Sequence, residues 1–454
     1  MRIQELKNKK VAIWGLGSEG LSTLKVIRKK FPALPITLLN DKEIAPEIKQ
    51  MLIHDPFLET ISGETVKTAL EGFDIIIKSP GISFYRDEIT AAKEKGVEFT
   101  SSTRLWFAEH PNDKTICVTG TKGKSTTSSM ITHLLRNANK RVTLGGNFGT
   151  PMLDMLDVEP RPDFWVIEMS SYQTSDFDGS PFIAVLLNLF PEHLDWHKNI
   201  ENYYNDKLNL FINQKEGQKA IINKLDHNTE KYLHKIKNPI YFNEEKGFHV
   251  KDGNIYKDNE KVFNGSDVPI PGQHNLSNIC AALTVVEQTG VDYKKCIESI
   301  KTFKGLPHRL YPWGKKDEIL YIDDSISTTP QSAIAALETY KGKEITILLG
   351  GFDRGLDIDG LADYVVKNNI HAVITMPDNG QRIYESITGK MQNSQTSLQL
   401  IKAENLEEAV NKAKEITSSQ GIILLSPGAP SYGHFKNFAD RGNSFARLSG
   451  FEVN

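Results

Sequence analysis

Short apolar runs rich in β-branched residues alternate with helical-looking segments along the whole chain. The runs predicted as strands are residues 10–14, 36–39, 74–78, 115–118, 164–168, 182–188, 220–223, 344–349, 372–375 and 421–426. Strands that alternate with helices form βαβ units, whose sheets are mostly parallel. Turn residues follow several of these strands, at the edge where open α/β sheets bind ligands. The pattern predicts an α/β protein with several ligand sites.

Two breaks in this pattern predict three domains. A polar stretch at residues 110–113 precedes a fresh strand, and Gly305-Leu306-Pro307 follows the helical stretch 275–288. A length of 454 residues also gives about three domains at roughly 150 residues each. The predicted domains are residues 1–112, 113–306 and 307–454. Residues 244–271 are rich in Gly, Asp, Asn and Lys and predict a hairpin excursion within the second domain.

Charge and cysteine content exclude several classes of protein. Fifty-four basic residues against 57 acidic ones leave a net charge of −3, which disfavours a nucleic-acid binder that depends on bulk positive charge. The three cysteines are scattered, which disfavours a disulfide framework or a zinc site. The polar start of the chain and its short apolar runs predict a cytoplasmic protein without a membrane span.

The strongest chemical signal is a phosphate-binding loop between a strand and a helix that is predicted to start near Thr126. Backbone N–H groups of such a loop bind phosphate oxygens, while Lys124 would reach the β- and γ-phosphates and Ser125 a magnesium ion. The loop is a shortened variant, because Val118 stands where the common pattern has its first glycine. The candidate ATP-binding residues of the loop are Gly120, Thr121, Lys122, Gly123, Lys124, Ser125 and Thr126.

Two further strands end in ionisable residues. Glu168 closes the strand 164–168 and is a natural second ligand for magnesium, although such a residue is more often a cap or a surface charge. His193 follows the strand 182–188 and precedes His197 by four residues, but the zinc-protease pattern H-E-x-x-H is missing. A role for His193 at a cation or a phosphate and a role in capping remain open.

Near the N-terminus, Gly15, Gly17 and Gly20 match the pattern G-x-G-x-x-G after a strand. Asp41 lies about 20 residues further on, where a ribose-binding acid is expected. These residues suit a nicotinamide dinucleotide, and an NAD-dependent oxidoreductase is one alternative. Any nucleotide diphosphate satisfies the same pattern, and a structural tight turn also remains possible.

In the last third of the chain, three more strands end in loops that carry Asp324, Arg354 and Ser431. Together the loops predict a second Rossmann-like sheet that binds a charged small molecule. An arginine such as Arg354 can hold a carboxylate with two hydrogen bonds. Each loop taken singly could be ordinary turn chemistry.

These motifs together resemble the Mur ligase family, ATP-dependent amide-forming enzymes of peptidoglycan synthesis, over essentially the full chain. Among these enzymes the chain is most similar to those that add glutamate. The matching stretches are residues 78–82, 120–126, 146–149, 168–171, 274–278, 305–309 and 436–438, with Arg441 and Gly442.

The resemblance implies a Rossmann-like UDP-binding domain, a central P-loop-type ATPase domain with a mostly parallel sheet, and a C-terminal Rossmann-like domain that binds the amino acid. By resemblance, the residues at the UDP substrate are Gly15, Leu16, Gly17, Ser18, Asp41, Ser79, Pro80, Gly81, Asn147 and Ser170. Family counterparts of Asn147, Asn278, Arg309 and Asp324 contact ATP or its metal site. Magnesium would be held by Ser125, Glu168 and a carbamylated Lys207, since a carbamate supplies carboxylate-like oxygens.

Departures from the usual glutamate-adding pattern indicate a branch within the family. Lys122, Ile326, Arg354 and Gly433 stand where the usual enzyme has asparagine, lysine, lysine and an acidic residue. They resemble a smaller branch that adds L-glutamate to UDP-N-acetylmuramoyl-L-alanine and leaves inversion to a separate epimerase. The D-glutamate-adding enzyme is the alternative. The candidate glutamate-binding residues are Thr328, Arg354, Ser431 and Phe438.

The reaction implied by the resemblance passes through an acyl phosphate, with Lys124, His193 and Lys207 as the catalytic candidates. A monomer is expected. A folylpolyglutamate synthase shares the ATPase core but leaves the N-terminal domain unexplained. An oxidoreductase leaves the phosphate loop and Glu168 without a role.

Overall fold

The protein is described by a computed structural model in which residues 1–44, 46–270, 272–392 and 394–453 are placed. The chain forms two compact units. The first contains Met1–Val268 and Gln273–Phe303, and the second contains Pro269–Gly272 and Lys304–Asn454. Domain boundaries at residues 112 and 306 stay predictions.

The first sheet of the first unit has five parallel strands in the order β3-β2-β1-β4-β5. Its strands are β1 Val11–Trp14, β2 Ile36–Asn40, β3 Leu58–Ser62, β4 Ile75–Lys78 and β5 Glu98–Thr100. The helices of this region are α1 Ser18–Lys30, α2 Pro46–His54, α3 Thr65–Ala69, α4 Asp87–Glu94 and α5 Ser102–Glu109. The strand order reverses between β1 and β4, so the loops after these two strands flank a natural ligand crevice.

The second sheet of this unit has six parallel strands in the order β11-β10-β9-β6-β8-β7. Its strands are β6 Thr115–Thr119, β7 Val142–Gly146, β8 Phe164–Glu168, β9 Ile183–Leu186, β10 Lys219–Asn223 and β11 Pro239–Phe242. The helices are α6 Lys124–Asn137, α7 Ser171–Thr174, α8 Leu194–His197, α9 Ile200–Ile212, α10 His227–Glu230 and, later in the chain, α11 Gln273–Gln288. The central strands β6, β8 and β9 are buried at every residue, as parallel strands covered on both faces require.

The excursion predicted as one hairpin is a three-stranded antiparallel sheet. Its strands are β12 Phe248–Lys251, β13 Asn254–Lys257 and β14 Glu260–Phe263. Two short turns join them, and Asp252 and Asp258 adopt the left-handed conformation that these turns need. Because the prediction rested on composition, it located the excursion but missed its third strand.

The second unit contains a six-stranded sheet in the order β15-β16-β20-β17-β18-β19. Its strands are β15 Tyr311–Lys316, β16 Ile319–Asp323, β17 Ile345–Gly351, β18 Ala372–Asp378, β19 Gln399–Lys402 and β20 Ile422–Leu425. All pairings are parallel except that between β15 and β16. The helices are α12 Pro330–Thr339, α13 Asp359–Lys367, α14 Gly380–Met391, α15 Leu406–Ile416 and α16 Phe438–Leu448.

This architecture confirms the predicted α/β class with mostly parallel sheets. One local prediction was wrong: α6 begins at Lys124 rather than near Thr126. Gly123 takes a left-handed conformation with φ of +86°, which turns the chain directly into the helix. In the part of the chain that the structure describes, no helix has the length and apolar character needed to cross a membrane.

Candidate active site

The phosphate loop lies between β6 and α6, and two of its backbone N–H groups donate hydrogen bonds to Asn188. The Asn188 carbonyl accepts from Thr121 N–H at 2.9 Å, and its side-chain oxygen accepts from Lys122 N–H at 2.8 Å. A Cβ atom on Gly123 would lie 2.6 Å from Oδ1 of Asn278, so α11 closes against this end of the loop. The structure therefore places Asn278, a candidate for ATP contact, beside the phosphate loop.

Two lysines converge on the loop carbonyls. Lys124 Nζ donates to the carbonyls of Gly120 and Thr121 at 3.0 and 2.9 Å. Lys207 Nζ, from α9, donates to the same Gly120 carbonyl at 2.9 Å and is almost completely buried. Burial lowers the pKa of Lys207 well below its ordinary value, and the nearby Lys124 charge lowers it further. The Lys207 amine is thereby favoured in its neutral, nucleophilic form.

Glu168 ends β8 and is only 1% exposed. Its Oε1 accepts from Asn147 Nδ2 at 2.6 Å, whereas its Oε2 is buried without a hydrogen-bond partner among the described residues. Leaving a carboxylate oxygen buried and unpaired is costly, and an oxygen-seeking cation would satisfy it. Among the described residues, no group of three or more His, Cys, Asp or Glu could bind a metal. The side chains therefore fit magnesium only if oxygen ligands of another kind complete the set.

His193 precedes α8 in a left-handed conformation with φ of +56°. Its ring packs 5.0 Å from that of Tyr172, and its Nε2 lies 3.7 Å from Glu192 Oε2. Burial lowers the pKa of His193, while Glu192 opposes that shift and Lys207 adds to it. The imidazole is accordingly neutral near pH 7 and able to accept a proton.

Three residues that fix the loop were not predicted from the sequence. Besides Asn188, they are Glu192, whose Oε1 accepts from Lys122 Nζ at 2.6 Å, and Tyr203, whose hydroxyl lies 2.9 Å from Thr121 Oγ1. Tyr203 stands four residues before Lys207, one turn away on α9. That helical spacing was the available signal for Tyr203. The salt bridge between Lys122 and Glu192 joins residues far apart in sequence, so no local pattern could reveal it.

A cavity of about 540 Å³ lies at the carboxyl ends of β1 and β4. A cavity of this size suits a nucleotide-sized group. It brings together most of the residues predicted at the UDP substrate: Gly15, Leu16, Gly17, Ser18, Asp41, Ser79, Pro80, Gly81 and Asn147. Ser170 instead caps α7, and it is Gln173 of that helix that lines the cavity. Asn147 thus connects the cavity to Glu168.

In the glycine loop at this cavity, the backbone at Gly15 lies very close to the backbone at Gly20 and to the Ser79 side chain. Gly15 has φ of +92°, and its carbonyl accepts from Ser79 Oγ at 2.7 Å. A Cβ on Gly20 would lie 2.0 Å from that carbonyl. Only glycine allows the helix and the loop to pack this tightly.

Asp41 already has two protein partners. Trp14 Nε1 donates to its Oδ1 at 3.0 Å, and Arg86 Nη1 donates to its Oδ2 at 2.6 Å. The Arg86 guanidinium also stacks over the Trp14 indole, 4.6 Å from its centre. A carboxylate has about four acceptor positions, so Asp41 can still accept from a ribose hydroxyl. Trp14 and Arg86 were not predicted from the sequence, because neither belongs to the glycine pattern.

In the second unit, Asp324 follows β16 and is buried. Its Oδ2 accepts from Ser426 Oγ at 2.7 Å, and its Oδ1 accepts from Leu310 N–H at 3.2 Å. Burial raises the pKa of Asp324 to about 7, although both hydrogen bonds and the nearby Arg309 charge act against that shift. Near neutral pH this carboxyl is poised between its two protonation states.

The candidate glutamate residues fall into separate groups. Arg354 Nη2 donates to the Thr328 carbonyl at 2.8 Å. Ser431 lines a cavity of about 470 Å³ whose wall also includes Gly350 and Gly351. Phe438 begins α16 with its ring partly exposed, and its carbonyl accepts from Ser325 Oγ at 2.8 Å. Arg354, Thr328 and Phe438 are not among the described residues that line the Ser431 cavity.

Comparison with protein families identifies three consecutive matches. Residues 9–101 match the MurD-like N-terminal domain of Mur ligases, residues 118–286 match the Mur ligase middle domain, and residues 308–429 match the Mur ligase glutamate ligase domain. The matches fall in chain order and together span most of the sequence.

Comparison with known proteins agrees with these domain matches. The chain is 39% identical to the UDP-N-acetylmuramoyl-L-alanine--L-glutamate ligase of Xanthomonas campestris pv. campestris, covering 100% of this chain and 97% of the relative. The protein of that name from Micromonospora sp. is 34% identical over 98% of this chain and 97% of its own length. Among solved structures, MurF from Acinetobacter baumannii has a TM-score of 0.61 at 14% identity, covering 98% of this chain and 97% of that one. The latter likeness concerns the fold alone. On the full-length identity and the three domain matches, the chain belongs to the Mur ligase family.

Proposed function

We propose that this Mur ligase uses ATP to join glutamate to the alanine carboxylate of UDP-N-acetylmuramoyl-L-alanine during peptidoglycan synthesis. The observation that carries the proposal is the pair of lysines on the phosphate loop beside Glu168, whose Oε2 has no protein partner among the described residues. That arrangement suits phosphoryl transfer, and the names of the full-length relatives supply the substrates.

ATP would bind with its phosphates on the N–H groups of Gly120–Thr126 and the start of α6. Phosphoryl transfer depends on positioning and charge neutralisation more than on covalent help. Lys124 would exchange its carbonyl partners for the β- and γ-phosphate oxygens. Asn278, packed against Gly123, would fix the depth at which the nucleotide sits. Arg309 and Asp324 are the further candidates for ATP contact.

Magnesium would be held by Ser125, Glu168 and a carbamate formed on Lys207. When bound, the ion neutralises charge on the transferring phosphoryl group. The neutral amine of Lys207 is the form that adds carbon dioxide, releasing one proton and becoming an anion. Burial and the nearby Lys124 charge both favour that neutral amine, and the Lys124 charge also stabilises the negative product.

The acceptor would place its UDP group in the cavity lined by Gly15–Ser18, Asp41 and Ser79–Gly81. An oxygen of its alanine carboxylate then attacks the γ-phosphorus, and ADP leaves. The glutamate amine attacks the resulting acyl phosphate at carbon, and inorganic phosphate leaves as the amide bond forms. His193 would support the metal and phosphate cluster and, being neutral near pH 7, could also accept the proton that the attacking amine loses.

Glutamate would be bound by Thr328, Arg354, Ser431 and Phe438, and the proposed enantiomer is L. Distinguishing the two enantiomers takes three fixed contacts, two on the carboxylates and one on the amine. Arg354 offers a planar fork to one carboxylate, in a loop where its side chain is already directed toward Thr328. The L preference itself rests on the likeness to the named relatives.

The proposal also assigns the protein a place in the cell. A ligase that attaches L-glutamate needs a separate epimerase to invert the new residue wherever the D form is required. UDP-linked acceptor, ATP and glutamate are small molecules of the cytoplasm, where we expect the enzyme to act as a monomer.

The test is a reconstitution with purified protein, ATP, magnesium, UDP-N-acetylmuramoyl-L-alanine and either enantiomer of glutamate. ADP release and the mass of the UDP product are measured, with reactions that omit one substrate at a time as controls. Product formation with L-glutamate and little with D-glutamate is expected. Turnover with D-glutamate alone would contradict the enantiomer, and absence of product with both would contradict the function.

A further inference from the structure

A chain of hydrogen bonds, buried except at Tyr85, lies beside the candidate residues and includes none of them. His197 Nδ1 lies 2.5 Å from Asp206 Oδ2, and His197 Nε2 lies 3.0 Å from Ser171 Oγ. Tyr85 donates its hydroxyl to the other carboxylate oxygen of Asp206 at 2.8 Å. Ser171, His197 and Asp206 are 3%, 0% and 4% exposed. We call these four residues the polar network.

The order serine, histidine, aspartate is that of a nucleophilic triad, but the burial argues for another role. A nucleophile must meet its substrate, and the Ser171 side chain is closed off from solvent. Because the Asp206 carboxylate accepts, Nδ1 of His197 is assigned the proton, which leaves Nε2 to accept from Ser171. Such a fully satisfied network fixes the positions of the elements that it joins.

The polar network joins two parts of the first unit. Ser171, His197 and Asp206 belong to α7, α8 and α9, whereas Tyr85 follows the loop after β4. Two more bonds connect the same parts: Trp196 Nε1 donates to the Gly81 carbonyl at 3.2 Å, and Ser83 Oγ donates to the Trp196 carbonyl at 2.6 Å. The segment 81–85 is thus attached to the helices at three points.

Each attached part carries residues of the proposed reaction. Gly81 lines the cavity proposed for the UDP group. His197 N–H donates to the His193 carbonyl at 3.1 Å, and Asp206 immediately precedes Lys207 on α9. A displacement of the segment 81–85 would therefore move the acceptor relative to His193 and Lys207.

We propose that His197 and Asp206 are positioning residues which, through Ser171 and Tyr85, hold the acceptor-binding segment 81–85 in register with the helices that carry His193 and Lys207. The consequence for catalysis rests on the proposed function. The acceptor carboxylate must arrive within bonding distance of the γ-phosphorus, and a misplacement of about 1 Å can cost on the order of a hundredfold in rate. Binding of ATP at the phosphate loop does not depend on this register.

Steady-state kinetics of three variants test the catalytic consequence. Tyr85→Phe removes one hydrogen bond, and its kcat should fall about tenfold. Asp206→Leu removes both carboxylate bonds, and its kcat should fall further. In both variants the KM for ATP should change less than about twofold. Asp206→Asn can keep both bonds, because its oxygen accepts from His197 and its NH₂ group donates to Tyr85. It should stay within about threefold of the wild type. A loss confined to the KM for ATP, or equal losses in Asn and Leu, would overturn the proposal.

Hydrogen exchange without substrates tests the register independently of the reaction. In Tyr85→Phe the amides of residues 81–85 should exchange about tenfold faster than in the wild type. Tyr204→Phe is the matched control, since it removes a hydroxyl from α9 outside the polar network, and it should leave that segment unchanged. Unchanged exchange in Tyr85→Phe, with a normal thermal melt, would refute the positioning role. A wild type that shows the protection but adds no glutamate would refute only the proposed function.

Discussion

Replacing Asp324 with asparagine should remove a pH-dependent cost to the stability of the second unit. Burial raises the pKa of this carboxyl from 3.8 to about 7. At pH values between 3.8 and about 7, Asp324 holds a proton in the folded protein that it has already released in the unfolded chain. Stability therefore falls as pH rises from about 4 to about 7 and is level above that window.

The magnitude follows from the same two values. A span from 3.8 to about 7 corresponds to at most about 4 kcal/mol of lost stability. Asparagine resembles the protonated acid, because its oxygen can accept from Leu310 N–H and its NH₂ group can donate to Ser426 Oγ. Asp324→Asn should match the wild type near pH 4 and be more stable at pH 8, by up to about 4 kcal/mol.

The assay is urea-induced unfolding at pH 4, 6 and 8, followed by pulsed hydrogen exchange of β16, which reports on the second unit alone. Asp363→Asn is the control for the sign of the effect, since the hydrogen bond from Lys390 lowers the pKa of Asp363. Equal pH dependence in Asp324→Asn and the wild type would refute the reasoning. An Asp324→Asn protein that is less stable at pH 8 would refute it as well.

Two further predictions concern catalysis in the first unit. Lys124→Ala should lose on the order of a thousandfold in kcat, because neutralisation of the transferring phosphoryl group is removed; near-normal ADP release would contradict this assignment. His193→Gln should lose at least about a hundredfold in kcat at saturating magnesium, because glutamine cannot accept the amine proton. Full activity in that variant would exclude His193 from both proton transfer and the metal site.

The fold was predictable because its signal is local. Strand 164–168 was placed at its observed bounds, since parallel strands such as β8 form continuous apolar runs. Strands at the sheet edges were missed: Leu58–Ser62 has a single buried residue, Gln399–Lys402 has none, and neither contains a continuous apolar run. The start of α6 was misplaced by two residues, because the left-handed turn at Gly123 leads directly into the helix at Lys124.

The candidate site was predictable where residues follow a strand directly. Gly15–Ser18 and Ser79–Gly81 share one cavity because the two strands before them are neighbours in the sheet. The partners of these residues could not be read from the sequence. Arg86 reaches Asp41 across 45 residues and His197 reaches Ser171 across 26, and such contacts are set by the packing of helices whose own patterns do not specify a partner.

The most direct test of the proposed reaction follows an oxygen atom. UDP-N-acetylmuramoyl-L-alanine labelled with ¹⁸O in its alanine carboxylate is incubated with the enzyme, ATP, magnesium and L-glutamate, and the inorganic phosphate is analysed by mass spectrometry. If the carboxylate attacks the γ-phosphorus and the amine then displaces phosphate, each inorganic phosphate released carries one labelled oxygen. Unlabelled phosphate accompanying a correctly ligated product would contradict the acyl-phosphate route.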